Sequence, residues 1–149
     1  MTNATQVQTF NLADLIKNPG KLKSVTHKVP FLFDKEGKGY AGAVIVGKNS
    51  DEYQDAQVTI RVLNMQRAAN RTEDIDTKTE AGAKMIIESM KEGNHMTALA
   101  VTVGLYGFDN DGKEIEFSKD IVNSLYESCP QWRQLVVNAL ENDANFTTL

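Results

Sequence analysis

Polar and apolar positions along the chain change period several times, and each change marks an element. Residues 1 to 9 are polar and expected to be loose, after which Phe10, Leu12, Leu15 and Ile16 suit a short helix ending at Asn18-Pro19-Gly20. From Lys23 the period shortens. Val25, Val29, Phe31 and Phe33 are separated by polar or small residues, Asp34 to Gly39 reads as a loop, and Tyr40 to Val46 is rich in strand formers. Two strands joined as a hairpin follow from that pattern.

Ser50 supplies an N-cap hydroxyl, with Asp51 and Glu52 near the positive end of a helix that extends to about Arg71. Within it Val58-Thr59-Ile60-Arg61-Val62 also alternates as a strand would, so periodicity alone leaves residues 56–64 open between helix and strand. Thr72 to Thr77 is a polar break. Ala81, Met85, Ile86, Met90 and the run Met96 to Val103 predict a long helix, interrupted or bent near Gly93-Asn94.

The last third reads most clearly. Gly107 to Gly112 is a polar turn, and Ile115 and Phe117 alternate with Glu114 and Glu116 as in a short strand. Ser118 caps a helix with Asp120 in its first turn, and Pro130 starts another. Trp132, Leu135, Val136, Ala139 and Leu140 fall on one apolar face, and the helix is expected to end at Glu141-Asn142-Asp143.

Together these elements predict an α+β class in which a small N-terminal antiparallel hairpin or sheet packs on a predominantly helical C-terminal part. The chain reads as a single domain, residues 1–149, β-rich over 23–48 and mainly helical over 50–149, with a short hairpin near 106–117. An isolated hairpin is marginal in water. It must therefore pack on the helices, pair with the 114–117 strand, or find a partner chain, and weak self-association is expected.

Composition narrows the chemistry. The net charge of −4 provides no basic footprint for nucleic acid, and the lone Cys129 rules out an internal disulfide framework. Neither a signal-peptide pattern nor an apolar run of membrane-spanning length is present, so a cytosolic chain without membrane association is expected.

Three near-motifs fail on context. Gly37 to Gly42 has dinucleotide-loop spacing but leads into a strand, Asn49 stands where a P-loop needs a hydroxyl, and Asp109-Asn110-Asp111-Gly112 lacks the first and twelfth carboxylates of a calcium loop. His27 and His95 have no second His or Cys at ligand spacing, and Cys129 has no neighbouring base. No catalytic, cofactor or metal site is expected.

Residue order carries a further signal. Thr102-Val103-Gly104, Asp111-Gly112, Glu116-Phe117-Ser118, Leu125-Tyr126-Glu127, Pro130, Trp132 and Ala144-Asn145-Phe146 together resemble the C-terminal half of tail assembly chaperones of long-tailed, siphovirus-like bacteriophages and prophages. Phe33 to Gly37 and Val44 to Tyr53 resemble an earlier segment of the same family, so the likeness covers roughly residues 30 to 149. Leu105 departs from the pattern where an aromatic is usual, as does Ile115-Glu116 where Leu-Pro is usual. Together with its helical flanks, the resemblance tips residues 56–64 toward helix.

The resemblance implies a non-enzymatic protein of the host cell cytoplasm. It would bind the tape measure protein, keep it soluble and extended, recruit or yield to tail tube protein, and be absent from the mature virion. A structural virion component, a tail or connector subunit, is the alternative. Five methionines would suit an adaptable apolar surface. Tyr126, Trp132 and Phe146 are the candidate partner-binding residues: Trp132 and Leu135 are expected mainly to close the core, and Phe146, past the helix end, to make contact.

Overall fold

The computed structural model describes residues 7–149, so the part of the expected loose N-terminus that falls on residues 1–6 lies outside the described residues. The chain is α+β. Helix α1 (Leu12–Lys17) begins where the Asn11 side chain accepts from the Ala13 N–H at 3.0 Å, and it stops at Asn18, the residue that Pro19 biases away from helix. One further turn, α2 (Gly20–Lys23), leads into the sheet.

Strands β1 (Thr26–Phe33) and β2 (Gly39–Val46) form the expected antiparallel hairpin, with Val29 opposite Ala43 and His27 opposite Ile45. The Asp34 carboxylate accepts from the N–H groups of Glu36 and Lys38, both at 2.9 Å, and Gly37 takes the positive φ of the turn. Pro30 lies on an edge strand beside an irregularity in register, where its missing donor is tolerated.

The hairpin is completed by a strand that periodicity did not predict. Thr102–Tyr106, here β3, pairs antiparallel with the far side of β2 and gives the order β1-β2-β3. Residues 114–117, expected as a strand, are not one beyond a minimal ladder in which β4 (Asp109–Asn110) pairs with β5 (Lys113–Glu114). Both edges of β2 are already taken, so Ile115 and Phe117 have no strand to join. The turn between β4 and β5 has positive φ at both Asp111 and Gly112, as a two-residue hairpin with native twist requires.

Four longer helices complete the fold. Helix α3 (Asp51–Asn70) is capped by the Ser50 hydroxyl accepting from the Tyr53 N–H at 3.2 Å, and it settles residues 56–64 as helix. Helix α4 (Glu80–Val101) runs unbroken through Gly93-Asn94, where an interruption or bend was expected. Gly93 faces the Ile60 side chain of α3, where an added Cβ would make ordinary contact, so packing does not require glycine there. Ser118 caps α5 (Lys119–Ser128), and Pro130 occupies the first turn of α6 (Pro130–Leu140). A 3₁₀ turn, Asp143–Phe146, follows.

The core lies where α5, α6 and the C-terminal part of α4 cover the sheet, and it is built around Val29, Phe31, Ala43, Ile45, Ala98, Val101, Val122, Tyr126, Val136 and Leu140. Phe31 stacks on Trp132 with ring centroids 5.0 Å apart and meets the Tyr126 ring edge-on. Thr102 donates to the Ala98 carbonyl at 2.7 Å, which spends its one proton. Tyr126 is therefore the donor across the 2.6 Å contact to the Thr102 hydroxyl. Lys119 closes the end of α4 by donating to the carbonyls of Leu99, Ala100 and Thr102 at 2.7, 3.1 and 2.7 Å.

Candidate functional site

The three residues expected to meet a partner do not share a surface. Tyr126 is fully buried, and Trp132 is half-buried between Phe31 and Phe108, closing the core as its place on the α6 face predicted. Phe146 overturns the expectation of contact, because it is only 3% exposed. A Cβ built on Gly47 would stand 2.5 Å from the Phe146 ring, and the His27 ring meets it edge-on at 5.9 Å. The 3₁₀ turn folds Phe146 back onto the sheet, and the Asn145 amide fixes that turn by donating to the Ala139 carbonyl at 3.0 Å. Leu135 moves the other way. It is 40% exposed, because the core-facing side of α6 is centred on Val136 and Leu140.

Exposed apolar surface is concentrated instead on α3 and the first half of α4. Helix α3 has no buried residue and packs chiefly on α4, while the buried positions of α4 are Gly82 near its start and Thr97, Ala98 and Val101 near its end. The seam between the two helices is polar as well as apolar: Gln57 donates to Thr97 at 3.0 Å, and Arg67 makes a two-pronged pair with Glu92 at 2.8 and 3.1 Å. The two helices form an antiparallel arm, whose large exposed apolar side chains are Val58, Val62 and Met65 on α3 and Met85, Ile86, Ile87 and Met90 on α4. Each of these is between 39% and 72% exposed.

On α4 the pattern is unusual for a surface helix. Consecutive helical residues point about 100° apart, so Met85, Ile86 and Ile87 present apolar surface to three directions at once. Ordinary amphipathic packing on one side cannot cover such a turn. Methionine's flexible thioether adapts to differently shaped apolar partners, and three of these side chains are Met65, Met85 and Met90. Beside them lies a shallow cleft of about 220 Å³, lined by Arg67, Arg71, Ile75, Met85, Ile86 and Glu88 among others. That volume is below the range usual for small-molecule sites.

The ionisable side chains singled out in the sequence are used structurally. Arg133 donates to His95 Nδ1 at 3.2 Å, so the ring proton lies on Nε2 and is donated to Asn123 at 2.6 Å, tying α4 to α5 and α6. Burial lowers the pKa of His27. Cys129 is half-buried at the junction of α5 and α6. Gly37 to Gly42 lies in the first hairpin, Gly42 to Asn49 in β2 and the turn after it, and Asp109 to Gly112 in the small ladder. Among the described residues, no group of three His, Cys, Asp or Glu side chains is placed to hold a metal, and no helix is long and apolar enough to cross a membrane.

The sequence singles out Met85 and Met90 among methionines suited to an adaptable surface, but not the surface they form. The signal was present in the unbroken Met85-Ile86-Ile87 run and in the 58, 62, 65 spacing, neither of which has a covering element among the described residues. Compared with protein-family models, curated proteins and solved structures, the chain finds no match.

Proposed function

We propose that this protein is a non-enzymatic tail assembly chaperone. It binds apolar helical segments of a tape measure protein in the host cytoplasm, keeps that protein soluble and extended, recruits or yields to tail tube protein, and is left out of the finished virion. The observation that carries this reading is the exposed Met85-Ile86-Ile87 and Met90 surface of α4, which suits varied apolar helices. The order of residues resembling that chaperone family, from Phe33 to Phe146, supports the same reading.

The test is co-expression of the protein with the tape measure protein of the same phage or prophage. The wild-type chain should raise the soluble fraction of the tape measure and co-purify with it. A chain carrying Ile87→Glu and Met90→Glu should fold normally and fail at both. Unchanged binding by that variant would refute the assignment to α4. Mass spectrometry showing the protein in purified particles at the stoichiometry of a tail subunit would favour a structural virion component instead.

A further inference from the structure

Along the arm, burial stops well short of the tip. Tyr53, Ala56, Gln57, Ile60 and Leu63 of α3 are half-buried, but every residue from Asn64 to Asp74 is exposed. On the returning side Gly82 is the one buried residue between Glu80 and Gly93, and it has no side chain. From Asn64 to Gly93, then, no apolar side chain is buried.

Hydrogen bonding divides the chain at the same place. Arg67 pairs with Glu92, and Ser89 reaches Asn64 only at 3.5 Å. Asp76 accepts from the Lys78 N–H through its carboxylate and from the Thr79 hydroxyl through its carbonyl, and that hydroxyl accepts from the Gly82 N–H. Each of these bonds has both partners inside residues 64–93, and no side-chain hydrogen bond or ion pair runs from this segment to the rest of the described chain. Short helices are marginal in water, and in proteins most of their stability comes from the face they bury. Gly93 and Asn94 mark the inner boundary on α4, because both are poor helix formers and α4 continues from there into the core.

We infer that residues 64–93 form a separate cooperative unit that opens while the sheet, α5, α6 and the last turns of α4 stay folded. Met85, Ile86, Ile87 and Met90 all lie on this unit, so opening dissolves the apolar surface, and a helical ligand packed on that surface holds the unit closed. The arm is thereby a strap whose order decides whether the surface exists. Its opening is a property of the free chain and does not rest on the chaperone reading.

Hydrogen exchange of the full chain, resolved to single amides by NMR, reads the opening. Amides of Met65 to Asn70 and of Lys84 to Glu92 should be protected at least about a hundredfold less than the most protected amides of α5 and α6. In low urea both groups should lose protection with one shared slope, smaller than that of the core amides. Val136→Ala should lower the protection of core amides about tenfold or more and leave the arm amides unchanged, because the arm exchanges without unfolding the core. Gly93→Ala should raise arm protection about fivefold, since the added methyl makes ordinary contact with Ile60 and favours the helix. The inference is overturned if the arm amides are as protected as the core, or if Val136→Ala lowers both together. It is equally overturned if Gly93→Ala leaves arm protection as it was, or if the two arm helices respond to urea with different slopes.

Discussion

Removing the Phe146 ring tests whether the C-terminal turn belongs to the core. Phe146→Ala empties the slot over Gly47 and removes the edge contact to His27, and truncation of a buried Phe costs roughly 3–5 kcal/mol. The lower end of that range applies, about 3 kcal/mol, because the ring is carried on a single 3₁₀ turn that can relax into the emptied site. In a urea titration with a slope of about 2 kcal/mol/M, the midpoint should fall by roughly 1.5 M without a change in slope. Gly47→Ala should destabilise by the same route, since its Cβ would stand 2.5 Å from the Phe146 ring. Once the ring is gone that methyl has room. The double variant should therefore cost clearly less than the sum of the two single changes, a coupling of about 1 kcal/mol or more. Phe146→Ala within about 0.5 kcal/mol of wild type, or strict additivity with Gly47→Ala, would refute the slot.

The fold also sets the ionisation or hydrogen bonding of Tyr126, His27 and Lys119. Burial pushes the Tyr126 phenol up to about 12. The unfolded chain gives up this proton first, so stability should fall as pH rises from about 10 to about 12, and Tyr126→Phe should flatten that fall while costing about 1 kcal/mol at neutral pH. His27 titrates below its ordinary value because burial disfavours the cation, so its contribution is fully present above about pH 6.5 and is lost as pH falls through that value. Urea midpoints measured from pH 7.5 to 5 should therefore decline less in His27→Gln than in wild type. Lys119→Met leaves the carbonyls of Leu99, Ala100 and Thr102 without their shared donor and should cost about 1–2 kcal/mol, read as a lower melting temperature. A Lys119→Met chain as stable as wild type would show that water replaces the ammonium at no cost.

Elements whose causes are local were legible in the residue order alone. Ser50, Ser118 and Pro130 mark helix starts because each acts on amides or dihedral angles within a few residues, and Asp34 to Gly39 turns the first hairpin through bonds internal to the loop. The α+β class was legible for the same reason.

Tertiary structure decided what depends on distant neighbours. Thr102–Tyr106 is a strand because β2 offers a free edge on the side away from β1, a vacancy that no periodicity within 96–103 encodes. Phe146 is buried because Gly47, far upstream, has no side chain to fill the space it takes. The arm surface was decided in the same way. Apolar spacing on α3 and α4 reads alike whether a residue faces the core or solvent, and only the placement of the sheet against the far end of α4 leaves Val62, Ile87 and Met90 uncovered.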